Sequence, residues 1–453
     1  MVDLRPYQDD LIESIRGAYR RGHSRVLAVA PTGSGKTVVF SYIAGKTLSM
    51  GRRTLILVHR AELIDQTSKT LAAFGVPHGI IASGRDEDAA QLIQVASVQT
   101  LIRRFDRVDI PDLIVIDEAH HSVAGSWRAV IEQFSDAKVL GVTATPERLD
   151  GKGLSGVFQS LILGPSVSDL MDGGHLSRAR YFAPSTVDVS GVKSRCGDYD
   201  HKGLETVMDN PKIIGDAVEH YGRLARGMPA IAFCVSIKNA RNVAEAFRAA
   251  GYAADTIDGT LSADDRRERV EMLADGRLSV LTSCEIVNEG FDVPVVGAAI
   301  LLRPTKSLGL HLQQIGRVLR PAPGKTHAVI LDHVGNLSRH GLAEEKRNWT
   351  LEDKPKRKKE SEQAESIRQC VKCFACYSMT CSNCPECGHE HKTIGREIEQ
   401  RDGELVEITI PEKPKWIDVA KARTYEDLVA LGKSRGYKPG WARMVLRNRG
   451  KFK

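Results

Sequence analysis

A glycine-rich segment near the start of the chain has the residue types and spacing of a phosphate-binding loop. It reads Ala30-Pro-Thr-Gly-Ser-Gly-Lys-Thr37 and lies between apolar runs at 26–30 and 38–40, which predicts a strand, a loop and a helix. Its glycines let successive N–H groups turn towards an anion, and the following helix adds its positive end. Lys36 can reach the outer phosphates of a nucleotide, and Thr37 can bind the accompanying Mg²⁺. The alternative is a chance glycine-rich turn. The predicted nucleotide-contacting residues here are Thr32, Gly33, Ser34, Gly35, Lys36 and Thr37.

Two neighbouring acids, Asp117 and Glu118, follow the apolar run 113–116, which predicts a strand buried on both faces. Ligands of open α/β sheets bind at the carboxyl ends of such strands. In a phosphate-loop protein the first acid holds Mg²⁺, and the second polarises the attacking water. We therefore predict that Asp117 binds the metal and that Glu118 is the general base. Acidic pairs at strand ends are common, so the pair alone is weak evidence. Its position after a phosphate loop is what supports a role in nucleotide hydrolysis.

A predicted helix near residue 315 carries Gln313, Arg317 and Arg320 at positions i, i+4 and i+7, which lie on one face. Two arginines on an otherwise apolar helix need an anionic partner, and a γ-phosphate held between two domains would supply one. The alternative is an ordinary surface face with salt bridges. We predict that all three residues take part in catalysis.

Six of the nine cysteines fall between positions 370 and 387, and this clustering favours a metal over disulfides in a reducing compartment. Two Cys-x-x-Cys knuckles can direct four thiolates at one Zn²⁺. Cys376 and Cys381 are surplus and offer alternative pairs with Cys373 and Cys384. An iron–sulfur cluster is a competing interpretation, because cysteine spacing alone does not exclude it. The predicted zinc ligands are Cys370, Cys373, Cys384 and Cys387.

The composition is that of a globular protein with more than one domain. The chain has 453 residues, of which 42% are hydrophobic and 27% charged. No apolar run approaches the roughly 20 residues that span a bilayer, and the first residues lack the layout of a signal peptide. We expect a cytoplasmic protein without membrane contact. Between positions 413 and 453 there are twelve Lys/Arg against three Asp/Glu, which indicates a polyanionic partner.

Strands and helices alternate in two regions, which predicts two doubly wound parallel sheets of the α/β class. The predicted boundaries are 1–163 and 228–343 for the two domains, 164–227 for a linking and elaborating region, 344–368 for a charged linker, 369–391 for a zinc ribbon and 392–453 for a basic nucleic-acid-binding segment. The predicted strands are 26–30, 54–58, 92–98, 113–117, 138–143, 230–235, 254–257, 279–282, 298–302 and 328–331. The predicted helices are 36–50, 61–74, 238–250, 263–273 and 308–319.

The phosphate loop, the acidic pair and the arginine-bearing helix follow one another within about residues 1–335, and they resemble the motifs of superfamily two DEAD/DEAH-box helicases. The resemblance implies two tandem RecA-like domains that hold ATP between them. It implies that Gln8, together with Arg5, reads adenine, and that Gly290 and Asp292 lie in the nucleotide site. It also implies coupling residues, Thr143 and Thr145, which hydrogen-bond towards the acidic box 117–120. The residues implied to contact a nucleic-acid strand are Arg60, Ser97 and Thr100.

The cysteine cluster and the basic tail are similar to those of the RadD-like branch of this superfamily, which comprises bacterial and phage-encoded ATPases linked to DNA repair. Trp441 and Arg443 could form a stacking and phosphate-binding surface in the tail; a small hydrophobic core with a basic face is the alternative. The expected activity is an ATP-dependent helicase or translocase using ATP, Mg²⁺ and Zn²⁺. The expected partners are single-stranded or branched DNA and a single-strand-binding protein. The alternatives are an RNA helicase, an ATP-regulated annealing factor and the motor subunit of a restriction system.

Overall fold

The structure is a computed structural model. It describes residues 3–122, 125–148, 151–183, 189, 191–195, 197–284, 293–353, 367–390, 422, 424–434 and 440–448. Two compact units are distinguished, Met1–His391 and Lys392–Lys453. No helix among the described residues is both long enough and apolar enough to cross a membrane.

The first RecA-like domain is built on a seven-stranded sheet with the order β3-β4-β2-β5-β6-β1-β7, in which all neighbouring strands are parallel. Its central strands are buried throughout because hydrophobic clusters cover both faces. The elements are α1 (Pro6–Arg20), β1 (Arg25–Val29), α2 (Lys36–Ser49), β2 (Thr54–Val58), α3 (Ala61–Ala73), β3 (Gly79–Ile81), β4 (Ile93–Ser97), α4 (Val98–Leu101), β5 (Leu113–Asp117), α5 (Gly125–Gln133), β6 (Lys138–Thr143) and β7 (Ser160–Leu163).

The second RecA-like domain contains an eight-stranded sheet with the order β12-β13-β11-β14-β15-β8-β17-β16. The first six strands of that order are parallel. The elements are α6 (Val167–Asp172), β8 (Ala179–Phe182), β9 (Ser194–Arg195), β10 (Asp198–Tyr199), α7 (His201–Met208), α8 (Pro211–Leu224), β11 (Ala230–Phe233), α9 (Ile237–Ala249), β12 (Ala254–Ile257), α10 (Ala263–Ala274), β13 (Val280–Ser283), β14 (Ala298–Leu301), α11 (Leu308–Val318), β15 (Ala328–Asp332), α12 (Asn336–His340), β16 (Ile367–Gln369) and β17 (Ala375–Ser378). The predicted fold class, two parallel-sheet α/β domains in tandem, is therefore confirmed.

The region 164–227 differs from the linking and elaborating segment that was expected. Its strand β8 pairs in parallel with β15, and buried side chains of α7 and α8 join the core of the second domain. The sequence Ala-Arg-Tyr-Phe of β8 is only four residues long and half of it is partly exposed, so no apolar run marks it as a strand. Strand β7 was not predicted either: it is an edge strand of four residues, all of which are at least partly exposed.

The charged linker predicted at 344–368 also differs from expectation, because its described part, residues 344–353, returns to the first domain. We call this segment the strap. Arg347 anchors one end by donating hydrogen bonds to the carbonyl oxygens of residues 340, 342, 343 and 345. At the other end, the Leu351 carbonyl accepts from the N–H groups of Leu154 and Ser155 at 2.7 and 2.9 Å. Trp349 and Leu351 pack against the core of the first domain. The strap is thus a second connection between the domains.

The cysteine-rich module, residues 367–390, extends the sheet of the second domain. Its hairpin β16–β17 is antiparallel, and β17 adds to the edge of β8 with Ala375 opposite Phe182. Arg180 on β8 forms an ion pair with Glu386 of the module, and the Gln369 side chain donates to the Ala183 carbonyl. The module therefore shares the hydrogen-bonded sheet of the second domain.

The C-terminal unit is described only at residues 422, 424–434 and 440–448. Two helices, α13 (Tyr425–Ser434) and α14 (Trp441–Asn448), pack through Leu428, Ala442 and Leu446. Trp441 lies partly buried against this small core, whereas Arg443 is exposed.

Candidate nucleotide cleft and cysteine cluster

The phosphate loop has the backbone that its sequence demands. Gly33 and Gly35 adopt φ values of 89° and 84°, which side chains other than hydrogen rarely tolerate. Helix α2 begins at Lys36 directly after the second of these turns. The Lys36 ammonium lies 3.4 Å from the Ala30 carbonyl oxygen. The loop is therefore wrapped around the position to which the N-terminus of α2 points, which is the arrangement that binds phosphate.

Side chains of the N-terminal segment hydrogen-bond to the phosphate loop and support it. Gln8 is buried, and its Nε2 donates to the Ser34 carbonyl at 3.1 Å while its Oε1 accepts from the Arg5 N–H at 3.0 Å. The Tyr7 hydroxyl donates to the same carbonyl at 2.9 Å. A β-carbon at Gly35 would lie 2.5 Å from the Gln8 amide nitrogen. Arg5 lines a cavity beside the phosphate loop, whereas Gln8 does not. The reading of adenine by Gln8 stays a prediction.

The acidic pair stands at the carboxyl end of β5, beside the loop. Burial, the neighbouring Glu118 charge and, in opposition, the Lys36 charge set the pKa of Asp117, which is raised to about 7. Glu118 has a left-handed backbone with φ of 49°, and its N–H donates to the Asp117 carboxylate at 3.0 Å. Within the described part of the chain, the buried Glu118 Oε2 has no hydrogen-bond partner. A desolvated acid pair beside a lysine is suited to a divalent cation and a water molecule, because both would satisfy these oxygens.

A chain of close polar contacts connects the acidic pair to the end of β6. His120 Nδ1 lies 3.5 Å from Glu118 Oε2 and 3.1 Å from Thr143 Oγ1. Thr143 Oγ1 donates its only proton to the Thr145 carbonyl at 2.8 Å, so it accepts from His120 Nδ1. The predicted coupling residues therefore reach the acidic pair through His120. Sequence reasoning missed this histidine as a site residue, although its place as the last residue of the acidic box was a usable signal.

Arginines of the second domain face the first domain's half of the site. Arg317 and Arg320 line one cavity of about 330 Å³ together with Lys36, Asp117 and Glu118. Arg317 lies in the last turn of helix α11, whereas Arg320, expected on the same helix face, lies two residues beyond the helix end at Val318. The start of α11 is fixed by the Ser307 hydroxyl, which accepts from the Leu310 N–H at 3.1 Å. The other lining residues are Arg5, Thr32, Gly33, Gly35, Thr37, Val38, Leu63, Gln66, Thr70, His175, Pro294 and Pro321.

The remaining predicted residues lie elsewhere. Gln313 is buried on α11 outside the cavity wall. Arg60, Ser97 and Thr100 follow the carboxyl ends of β2 and β4, at the same edge of the sheet as Asp117. Gly290 and Asp292 lie outside the described residues, and Trp441 and Arg443 belong to the C-terminal unit.

Four of the six clustered cysteines converge. The Sγ atoms of Cys370, Cys373, Cys384 and Cys387 all lie within 4.8 Å of one another, and two of these pairs are 3.6 Å apart. Tetrahedral Zn²⁺ with Zn–S bonds of about 2.3 Å places its sulfurs about 3.8 Å apart, so the four thiols fit this metal. Cys376 is instead buried in β17 and Cys381 is exposed.

The two knuckles of the cluster repeat one backbone pattern. The residue after the second cysteine is left-handed in each, with φ of 63° at Phe374 and 68° at Gly388. Its N–H donates to the carbonyl of the first cysteine, Cys370 or Cys384, at 3.0 and 2.9 Å. These turns direct both sulfurs of a knuckle at one point, and the repeat explains why the pairs 370/373 and 384/387 converge.

A phosphate loop and an acidic pair on one parallel sheet, faced by two arginines from a second α/β domain, define a two-domain motor ATPase. Family models agree with this class: residues 1–148 match "Type III restriction enzyme, res subunit" and residues 212–322 match "Helicase conserved C-terminal domain". The chain belongs to the superfamily 2 helicases of the DEAD/DEAH type. It is therefore an ATP-hydrolysing enzyme of the helicase or translocase kind.

Individual relatives support this membership. A 51.5 kDa protein of a Lactococcus phage is 34% identical over 71% of this chain and 68% of its own length. A Saccharomyces cerevisiae protein named as an ATP-dependent helicase, IRC3, is 33% identical over 74% of this chain, which spans about half (52%) of the yeast protein. The structure of the ATP-dependent Type ISP restriction-modification enzyme LlaBIII bound to DNA has the same fold, with a TM-score of 0.56 and 18% identity; the match covers 74% of this chain and 28% of that one.

Proposed function

We propose that this chain is a DNA-dependent ATPase that translocates along DNA or separates its strands by closing and opening the cleft between its RecA-like domains. The observation that carries the proposal is the single cavity lined by Lys36, Asp117 and Glu118 from one domain and by Arg317 and Arg320 from the other. A site split in this way is complete only when the domains are together.

Each side chain has a separate task in hydrolysis. The loop N–H groups and Lys36 bind the phosphates, and Thr37 and Asp117 hold Mg²⁺. Bound MgATP supplies the phosphoryl group to be transferred and the positive charge of the metal. The Glu118 carboxylate orients the attacking water and accepts its proton, while Arg317 and Arg320 stabilise the charge of the transition state. Since such an arginine contributes roughly 10³–10⁵ in rate where it has been measured, hydrolysis depends on domain closure.

Product release reverses the closure. Once the terminal phosphate has left, Arg317 and Arg320 of the second domain lose the anion that the first domain had held against them, so the closed arrangement becomes less stable. The path from Glu118 through His120 to Thr143 and Thr145 ends beside α11, because the Thr145 hydroxyl lies 2.9 Å from the position of a β-carbon at Gly309. A change at the acidic pair can therefore reach the interface.

Two observations support DNA rather than RNA as the polymer. The first domain matches a restriction-enzyme family model, and the LlaBIII structure contains DNA. The resemblance of the cysteine cluster and basic tail to the RadD-like branch further supports single-stranded or branched DNA, work beside a single-strand-binding protein, and a role in DNA repair, recombination or replication. We assign Zn²⁺ to the four converging thiols on their 3.6 Å spacings.

The decisive experiment measures ATP hydrolysis without polymer, with single-stranded DNA, with duplex DNA and with RNA. We expect DNA to raise the rate several-fold and RNA to leave it near the basal value. Lys36→Ala is the control and should be inactive in all four conditions. Stimulation by RNA alone would replace the proposal by an RNA helicase, and no stimulation by any polymer would contradict the motor.

A second assay separates a motor from an annealing factor. A tailed DNA duplex is incubated with enzyme and ATP, and strand displacement or the displacement of a bound streptavidin is followed. The proposal expects at least one of the two to require ATP and to be absent with Glu118→Gln. Strand annealing that proceeds equally with this variant would favour the annealing factor.

A further inference from the structure

The connection between the two domains contributes a side chain to the nucleotide cavity. After α6, the chain turns at Gly174, where φ is 69°, and continues through His175, Leu176 and Ser177. The Ser177 N–H donates to the Leu319 carbonyl at 2.6 Å, which fastens this short segment to the end of α11. His175 therefore moves with the arginine-bearing helix of the second domain.

This segment passes directly over the phosphate loop. Leu176 is buried, and its Cδ2 lies 3.0 Å from the position that a β-carbon at Gly33 would occupy. Next to it, the His175 imidazole lies against the Tyr7 ring, with ring centroids 5.0 Å apart and an interplanar angle of 59°. Tyr7 is in turn bonded through its hydroxyl to the Ser34 carbonyl of the loop. With the two domains together, the imidazole therefore lies beside the loop, against Tyr7.

The composition of the cavity wall singles out His175. Lys36, Thr37, Asp117 and the arginines are accounted for by phosphate and metal. Among the described residues that line the cavity, His175 is the one that carries an aromatic ring. A nucleobase binds protein chiefly by stacking its π-face on such a ring or on a guanidinium plane. Arg5 lines the same cavity from the first domain.

We infer that the nucleobase of ATP stacks on the His175 imidazole, with the Tyr7 ring behind it and the Arg5 side chain within reach of the base. The inference deepens the proposed function and rests on it, because it assumes that ATP phosphates occupy the loop. It adds a base-contacting residue that comes from the connection between the domains. Base binding, like the arginine contacts, then draws the second domain onto the first.

The test compares ATP with inorganic tripolyphosphate, which has the phosphates but no base. Calorimetry measures the Kd of both ligands in wild type, His175→Ala and His175→Phe, and steady-state kinetics measures KM and kcat for ATP. For His175→Ala we expect Kd and KM for ATP to rise about tenfold, which is within the range for one base–aromatic stack. The affinity for tripolyphosphate and kcat should change less than about twofold, and His175→Phe should restore ATP binding because it restores a ring.

The outcomes are distinguishable. An unchanged Kd for ATP in His175→Ala overturns the inference, and so does a parallel loss of tripolyphosphate affinity, which would indicate a distorted loop. Failure of His175→Phe to restore binding would also count against stacking. If the wild type binds ATP but does not hydrolyse it, the proposed function fails while the binding comparison still tests His175.

Discussion

Gly316 of helix α11 lies so close to Thr32 of the phosphate loop that a β-carbon at position 316 would be 2.6 Å from the Thr32 β-carbon. Gly309 lies seven residues earlier on the same face, and a β-carbon at that position would be 2.9 Å from the Thr145 hydroxyl oxygen. The absence of side chains at these two positions is what lets the second domain approach the first. Arg317, the residue after Gly316, is therefore positioned by the close approach of the Gly316 backbone to Thr32.

Gly316→Ala should consequently impair catalysis without removing a catalytic group. The added methyl displaces α11 by a fraction of an ångström to about one ångström, and a misplacement of that size can cost about 10²-fold in rate. We expect kcat for ATP to fall by about that factor while the Kd for ATP, which the first domain mostly determines, changes less than about threefold. Gly215→Ala is the control, because a β-carbon there meets no atom within 4 Å. Full activity of Gly316→Ala would show that close packing is unnecessary.

Arg317→Ala tests the arginine itself. Removal of the guanidinium should slow hydrolysis by about 10³-fold or more, because the transition state loses charge stabilisation that the ground state hardly uses. ATP affinity, measured by calorimetry, should fall much less. Arg277→Ala, which removes an exposed ion pair with Asp275, serves as the control and should retain wild-type turnover. A loss of ATP affinity with kcat unchanged would place Arg317 in ground-state binding only.

The cysteine cluster predicts a specific pattern of metal content. Purified protein should be colourless and hold one equivalent of zinc by elemental analysis, whereas brown colour with visible absorbance would indicate iron–sulfur. Cys387→Ser should lose the metal because it removes one of four ligands. Cys381→Ser should keep it, since Cys381 is exposed and outside the converging set. Zinc retained by Cys387→Ser and lost by Cys381→Ser would reassign the ligands.

Loss of the metal should also destabilise the edge of the sheet in the second domain. The module pairs with β8 and fastens Glu386 to Arg180, so an unfolded module would leave the edge of β8 unpaired. We expect Cys387→Ser to increase amide hydrogen exchange in residues 179–182 relative to Cys381→Ser. Unchanged exchange there would mean that the hairpin holds without metal.

Acid should destabilise the second domain through His333. Burial, and after it the neighbouring His220 ring stacked at 5.3 Å, lowers the pKa of His333 to about 3. The unfolded chain binds this proton below about pH 6.5 and the folded chain does not, so stability is lost as the pH falls from about 6.5 towards 3. One such group accounts for about 1.4 kcal/mol per pH unit well below 6.5. Denaturant unfolding at about pH 7.5 and 5.5 should show a smaller acid loss in His333→Gln than in wild type; equal losses would exclude His333 as the cause.

The phosphate loop and the acidic pair were predictable because each is formed by residues that are consecutive in the sequence. The phosphate loop needs only a strand, two glycines and a helix start, and Asp117 needs only to follow an apolar strand. The pairing of Arg317 with this site required a family resemblance, since nothing within α11 specifies its partner. Gln8 shows the same limit: the family resemblance implied that it reads adenine, but the direction of its amide towards the Ser34 carbonyl depends on the fold.

What could not be predicted are contacts between distant segments. Strand β8 is recognisable only by its partners β15 and β17. The strap reads as a solvated charged linker, yet Arg347 is partly buried and four carbonyl groups satisfy its guanidinium. No sequence motif marks His175 as a site residue, and its position in the cavity wall is seen only in the structure.

The strap has a mechanical consequence. Two bodies joined at one point can swivel about any axis through that point, whereas two bodies joined at two separate points can turn only about the line between them. The chain passes from the first domain to the second before β8 and returns as the strap, which the Leu351 carbonyl fastens to residues 154 and 155. The strap thereby limits the directions in which the domains can swing apart. The motion that separates the arginines from the phosphate loop, and the motion that returns them, are both restricted in this way.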